Sequence, residues 1–362
     1  MKLDPKLITD DFKIKECTFG GDACIWIAPA LMGVAWDNRN LILRSSIWRK
    51  SDYELVSPGL KKFFNWGEKP DIFPAPTNGG NKIRVLEKVD GSCLVVSKYK
   101  GELIVRTRNA LASNHLNGEE IDVLKAKYPR AFDNALLNAE DTTFVYEWTT
   151  PSNTIVVQYN EPSITLLAII DHDRYEYYTQ LEVDNVAQQL GLPRPKLYTY
   201  ANVAEMLEDV TGWAGTEGVC VYYGFDQHIR KHKSDWYLNL HKFKSDCTID
   251  NLMALFIEQG CPGYNEFTEY ITNTFDYECA KMSSSFISKL CDAYKEVKKI
   301  VLGINEFLEN QCKSLPTRKL QAEKILAAYG ETNRSGMVFH LLDGNEDLTK
   351  DQYKKLIYQC LP

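Results

Sequence analysis

Lys88-Val89-Asp90-Gly91-Ser92 places an amine, a carboxylate and a glycine at the mouth of the apolar run Cys93-Leu94-Val95-Val96. A lysine opening a strand is what an amine nucleophile needs, because the strand holds the site rigid. Gly91 lets the backbone come close to a bound phosphate, and Asp90 can help to hold a metal or orient the amine. By ordinary residue usage, Lys-x-Asp-Gly followed by Ser or Thr arises in roughly one chain in a hundred of this length. A surface lysine entering a turn is therefore a fair competing reading, and companions elsewhere must decide. Three lie downstream. Glu147 sits inside Phe144-Val145-Tyr146-Glu147-Trp148, where a charge is costly unless it faces a polar cleft. Glu217-Gly218 puts a second carboxylate at the start of an apolar run, and Lys231 and Lys233 share a face if their segment is extended. Taken singly, the glutamates could face solvent and the lysines could blunt an edge strand.

The elements that must position these residues follow from pattern. Ala23–Ile27 and Leu41–Arg44 read as strands, the latter running on toward Ile47-Trp48. Lys61-Lys62-Phe63-Phe64-Asn65-Trp66 is a basic-aromatic cluster, and the Pro-rich stretch after Lys69 with Asn78-Gly79-Gly80-Asn81 reads as a loop. Leu94–Val96 and Leu103–Arg108 across Lys98-Tyr99-Lys100-Gly101 predict a hairpin, with Arg106 and Arg108 on one face. A helix is expected over 119–138, then strands at Phe144–Trp148, Ile155–Val157 and Ile164–Ile170. The last is apolar on both faces and so should be central. Helices at 181–191 and 202–210 precede a strand at Gly218–Tyr223. After Asp246 the texture becomes helical: Thr248 can cap a helix, Phe286, Leu290, Tyr294, Val297, Val301, Ile304 and Leu308 keep helical spacing, and 318–329 and 349–359 are amphipathic. The expected fold is α+β. A domain over 1–245 is built on antiparallel sheets with flanking helices, and an all-α domain covers 246–362.

Composition narrows the class. At 362 residues and a net charge of −7, the chain has room for two domains and is not a generally basic nucleic-acid coat, although a local cleft can still be basic. The ten cysteines are scattered with no Cys-x-x-Cys pair and no signal-like run before them, so reduced thiols in a cytosol are expected. His228 and His232 stand among cations, a poor place for zinc, and no apolar run reaches membrane-spanning length.

The order of these motifs resembles the bacteriophage RNA ligase 1 family of ATP-dependent RNA ligases. Lys88-Val89-Asp90-Gly91-Ser92 looks like its nucleophile motif, Tyr146-Glu147-Trp148 its middle acidic motif and Glu217-Gly218-Val219 the next. Lys231-His232-Lys233-Ser234-Asp235-Trp236-Tyr237 resembles the terminal Lys-x-Lys-Ser-Asp-Trp-Tyr, and Lys62-Phe63-Phe64-Asn65 an upstream Lys-Phe-Phe-Asn. Arg44 matches an upstream arginine, although Ser45 stands where the family has glycine, and Arg108 stands where it has lysine. The likeness covers the whole chain, helical C-terminal domain included, without the OB-fold of DNA ligases and capping enzymes.

The resemblance implies a sequence of events. Lys88 attacks the α-phosphate of ATP, its pKa lowered by Lys231, Lys233 and Mg²⁺. AMP then passes to a 5′-phosphate RNA end, and a 3′-hydroxyl seals the strand. Lys231 and Lys233 hold the α-phosphate and Glu147 meets the ribose. Asp90 and Glu217 bind Mg²⁺, largely through water. Arg44, Lys62 and Arg108 surround the outer phosphates or the RNA 5′-phosphate. Phe64 or Tyr237 packs on the nucleotide, and the sequence does not choose between them. The family setting implies tRNA repair in a host cytoplasm and a functional pairing with an end-healing polynucleotide kinase/phosphatase; no assembly motif is visible, so a monomer is expected. Two other readings stay open: another lysyl-nucleotidyltransferase (a DNA ligase or capping enzyme), and a catalytically silent RNA-binding protein.

Overall fold

The computed structural model describes residues 1–30, 33–73, 76, 83–108, 110–111, 118–138, 140–275 and 277–361. The loop expected at Asn78–Asn81 lies outside them. The chain divides into two compact units, Met1–Leu238 and Asn239–Pro362. The sequence reading places its boundary at 245/246, a few residues further on.

Unit 1 contains three sheets. The first has the order β1-β2-β3-β4, made by β1 (Phe12–Phe19), β2 (Asp22–Pro29), β3 (Ser46–Arg49) and β4 (Leu55–Ser57), all antiparallel. Leu41–Arg44, expected as a strand, is instead a 3-10 turn leading into β3. Its Leu41, Ile42 and Leu43 are all buried, so an unbroken apolar run here marks a turn folded into the core and not a ladder.

The second and third sheets carry the chemistry. Their strands are β5 (Phe64–Asn65), β6 (Arg84–Glu87), β7 (Ser92–Tyr99), β8 (Glu102–Arg106), β9 (Thr142–Thr149), β10 (Ser163–Asp171), β11 (Glu176–Tyr177), β12 (Leu197–Tyr198), β13 (Gly218–Tyr223) and β14 (His228–Lys233). One sheet has the order β11-β10-β9-β7-β8 and the other β12-β6-β13-β14-β5. All pairings are antiparallel except β14 with β5, which is parallel. The β7–β8 hairpin forms as expected: Lys100 and Gly101 at its tip have φ of 47° and 84°, the left-handed pair that a two-residue turn requires. β10 lies between β9 and β11, as its apolar faces imply.

Side-chain alternation then sorts the faces. Leu94, Val96, Phe144, Tyr146, Ile164 and Leu166 pack against helices α1 (Glu119–Lys127), α2 (Pro129–Asn138) and α3 (Gln180–Leu190). The single helix expected over 119–138 is two, broken at Tyr128 because the residue before Pro129 is driven out of the helical region. Val85, Val219 and Val221 pack under α4 (Val203–Thr211). The opposite faces of both sheets share a third core that includes Leu86, Val145, Tyr222 and Ile229. Glu147, out of step with Tyr146 and Trp148, faces that third side. A charged residue in a strand is thus turned inward between two sheets.

α5 (Asp235–Asp246) follows β14 and spans the division between the units. Unit 2 is helical: α6 (Ile249–Glu258, capped by Thr248), α7 (Tyr264–Thr274), the long α8 (Tyr277–Phe307), α9 (Arg318–Tyr329), α10 (Ser335–Leu342) and α11 (Lys350–Cys360). α8 buries Ile287, Leu290, Val297 and Ile304, and Phe256 meets Phe267 edge-on at 5.2 Å. Among the described residues, no helix is long and apolar enough to cross a membrane.

Candidate active site

Three adjacent strand ends build the centre of the site. Lys88 directly follows β6, Glu217 directly precedes β13 and Lys233 ends β14. The register Glu87↔Val219 and Gly218↔Lys233 brings all three together. The Lys88 N–H donates to the Gly218 carbonyl at 2.8 Å, which locks the alignment. Gly218 is obligatory there: its φ is +141°, and a Cβ would lie 2.2 Å from the His232 carbonyl oxygen.

Across from this edge, β7 and β9 pair Cys93 with Glu147. Gly91 lets the nucleophile loop lie flat on β9, since a Cβ would stand 2.3 Å from the Trp148 carbonyl oxygen. The glycine of this motif therefore serves a backbone approach, here to β9. Between the two sheets lies a cavity of about 200 Å³, lined in part by Arg44, Phe63, Lys88, Cys93, Glu147 and Cys220.

The electrostatics are unequal across this cavity. Lys88 Nζ donates to Glu217 Oε2 at 2.8 Å, and Lys233 Nζ reaches Glu217 Oε1 at 2.9 Å. The Glu217 side chain is 3% exposed and the Lys88 side chain 20%. Burial pulls the Lys88 ammonium down, but the carboxylates of Glu217 and Glu147 outweigh it and hold Lys88 above the usual lysine range. The expectation of a lowered pKa at Lys88 is thus reversed: in this state the nucleophile is a protonated amine. Glu147 moves the other way for a carboxylate. Burial pushes it up to about 7, against the pull of Lys88, with Glu217 and Asp90 adding to the rise. Lys231 is lowered to about 8 by burial and then by Lys233, Lys88, Lys62 and Arg44.

A cluster of cations surrounds the cavity on one side. Arg44 lies over the Phe63 ring at 4.7 Å and Lys231 over the same ring at 5.8 Å. Burial and then Arg44 lower the pKa values of Lys62 and Arg108. Nη1 of Arg44 is buried without a hydrogen-bond partner. Cations that repel one another, with a buried donor left open, make an arrangement suited to an anion with several charges.

Residues 39–247 match the sequence profile of the RNA ligase family. The chain belongs to that family. The matched span holds every site residue named so far, from Arg44 to Lys233. An RNA ligase of Rhodothermus phage RM378 is 24% identical over 88% of this chain and 84% of its own length. A protein described as a putative bifunctional polynucleotide kinase/RNA ligase, from Autographa californica nuclear polyhedrosis virus, is 27% identical over 61% of this chain. The chain spans about a third of that relative's length, the matched share being 33%. Among solved structures, an apo mutant of a Naegleria gruberi RNA ligase is 19% identical over 46% of this chain and 52% of its own, with a TM-score of 0.40.

Within this RNA ligase, several side chains sit elsewhere than the sequence suggested. Phe64 is buried against Leu41 and Phe73, with its ring 5.8 Å from that of Phe73. Its neighbour Phe63 lines the cavity. Tyr237 is 2% exposed and lies outside the cavity wall, donating from its hydroxyl to Asp90 Oδ1 at 2.8 Å. Asp90 Oδ2 accepts the N–H groups of Val156 and Val157, each at 2.8 Å. Ile155–Val157, expected as a strand, forms none, because two of its N–H groups go to this carboxylate. With both Asp90 oxygens and both Glu217 oxygens engaged, these residues do not fit a magnesium site built on the pair. Among the described residues no group of three or more His, Cys, Asp or Glu side chains could hold a metal.

Arg106 also departs from expectation. It is fully buried, whereas Arg108 lies past the end of β8 and stays partly open to solvent. The sequence reading passed over Phe63, Cys93 and Cys220 as cavity residues. Strand alternation alone could have found the two cysteines, since each lies in step with a site residue on its paired strand: Cys93 opposite Glu147 and Cys220 opposite Lys231.

Proposed function

We propose that this protein is an ATP-dependent RNA ligase that joins 5′-phosphate and 3′-hydroxyl RNA ends through lysyl-AMP and RNA-adenylate intermediates. The observation that carries this reading is Lys88, a half-buried amine bonded to Glu217 and within the field of Glu147, at the wall of a cavity flanked by mutually repelling cations.

The chemistry follows from that geometry. The triphosphate of ATP settles among Arg44, Lys62, Arg108 and Lys231. The new anion draws Lys233 away from Glu217, which then takes a proton from Lys88 along the existing hydrogen bond. The neutral Lys88 amine attacks the α-phosphorus. The bond from phosphorus to the bridging oxygen breaks, and pyrophosphate leaves with the electron pair, giving a lysyl-AMP phosphoramidate after loss of the second ammonium proton. Lys231 and Lys233 offset the charge that builds on the α-phosphate oxygens. Glu147 meets the ribose hydroxyls. An RNA 5′-phosphate oxygen then takes the AMP from Lys88, whose amine is reprotonated. A 3′-hydroxyl attacks the activated phosphate and AMP departs. Asp90 acts on this site by position, tying the nucleophile loop to residues 156–157 and to Tyr237.

The cavity is smaller than most ligand pockets, which supports entry of the nucleoside part with the phosphates projecting toward the cations. The kinase/ligase relative supports a functional link with an end-healing kinase; RNA repair as the setting, tRNA as the substrate and a phosphatase activity in the partner rest on the family resemblance alone. The test is Lys88→Ala on two substrates. Sealing of a 5′-phosphate RNA end with ATP should fall below detection while sealing of pre-adenylylated RNA persists. Equal loss of both would remove Lys88 from this role.

A further inference from the structure

Arg106 takes no part in the chemistry above, yet its side chain is engaged at every nitrogen. It is 0% exposed. Nε donates to Ser57 Oγ at 3.1 Å, and Nη1 donates to Ser45 Oγ at 2.6 Å and the Thr107 carbonyl at 3.3 Å. Nη2 faces the carbonyls of Ser45, Ser57 and Pro58 at 3.2, 3.1 and 3.1 Å. All of these partners are neutral, and no carboxylate is among the groups acting on it. A buried guanidinium without a carboxylate is a costly arrangement. Four carbonyls and two hydroxyls are what it holds.

Those partners lead to the cations. Ser45 directly follows Arg44, and its hydroxyl also donates to the Arg108 carbonyl at 3.1 Å. Ser57 and Pro58 open the short segment that ends at Lys62. Gly59 in that segment lies so close to Ser45 that a Cβ would stand 2.2 Å from its carbonyl oxygen. The Tyr175 hydroxyl braces the same place, donating to the Gly59 carbonyl at 2.8 Å and accepting its N–H at 2.9 Å. Arg44, Lys62 and Arg108 each stand on irregular backbone: the end of a 3-10 turn, a loop, and the residues past β8. No strand ladder of the described residues fixes any of the three.

We propose that Arg106 is the positioning residue of the phosphate-binding cations: its buried fork joins the segments carrying Arg44, Lys62 and Arg108 so that all three converge on one polyanion. This rests on the reading of those cations as holders of the triphosphate. Lysine keeps the charge but lacks the planar fork, so it cannot hold both serines and the carbonyls together.

The experiment compares the full-length protein with Arg106→Lys, Arg44→Ala and the double variant. It measures melting temperature, ATP KM and kcat for lysyl-AMP formation, and binding of inorganic tripolyphosphate by calorimetry. Arg106→Lys should raise ATP KM by about tenfold or more with kcat changed only a few-fold, and weaken tripolyphosphate by a similar factor. The double variant should be little worse than Arg44→Ala, because both changes disable one constellation. A lowered melting temperature with unchanged KM and tripolyphosphate affinity, or fully additive effects, would overturn the proposal. Should Arg106→Lys not fold, Ser45→Ala removes the shared hydroxyl and is read the same way. The two readings separate cleanly. A wild-type protein that forms no adduct but binds tripolyphosphate with an affinity that Arg106→Lys weakens sinks the ligase chemistry and keeps this inference.

Discussion

Lys88 and Lys233 share one carboxylate, each within 2.9 Å of a different oxygen of Glu217. The nucleophile and a phosphate-facing lysine are therefore held by one buried anion, and neither is free to act until that anion is displaced or protonated. The arrangement keeps Lys88 charged and unreactive in the absence of nucleotide. Glu217→Gln keeps the shape and removes the charge. The pH midpoint for acylation of Lys88 by a small reactive ester, followed by peptide mapping, should then drop by about one unit or more. An unchanged midpoint would mean that Glu217 does not govern the amine.

Glu147 gives a pH signature in stability. Its folded pKa of about 7 lies above the ordinary glutamate value of 4.5. A raised carboxylate favours the protonated form on folding, so its contribution is fully present below pH 4.5 and is lost as pH rises toward 7. Glu147→Gln removes that loss. Relative to wild type, this variant should gain stability across that window, by up to about 3 kcal/mol at its upper end. Urea unfolding at several pH values reads it directly. A difference that does not change with pH would contradict the assignment.

Lys231 gives a second signature, in binding. Its amine is lowered to about 8, so the cation that meets a phosphate is lost as pH rises through that value. ATP KM should therefore rise above about pH 8, until bound phosphate restores the proton. Arginine stays charged throughout. In Lys231→Arg the upward drift of KM between about pH 7.5 and 9.5 should flatten, whatever happens to its absolute value, and a wild-type KM that is flat over this range would count against the reading.

Much of the fold was legible because its signals are local. Strand-like runs marked β7, β9 and β13, alternation marked β8 across a Lys-Tyr-Lys-Gly turn, and helical spacing from Phe286 onward marked α8. The motif residues on these strand ends met in space because the pairings β6–β13–β14 and β7–β9 bring them there. What stayed hidden depends on contacts distant in sequence. Leu41–Arg44 and Ile155–Val157 carry strand-like composition, yet one folds as a turn into the core and the other gives its N–H groups to Asp90. Phe63 and Phe64 are neighbours of one type, and only the direction of each side chain tells cavity wall from packing. The pKa of Lys88 was misjudged because the sequence displays nearby cations but not the carboxylate that reaches the amine first. Arg106 looked like a partner of Arg108, and its role emerged only from Ser45 and Ser57, about fifty positions or more away along the chain.

The most direct measurement is the intact mass of the protein after incubation with ATP and Mg²⁺, followed by peptide mapping. The account predicts a gain of one AMP, acid-labile and carried by Lys88, absent from Lys88→Ala and reversed by added pyrophosphate. A protein that gains no nucleotide, or carries it on another residue, would contradict it.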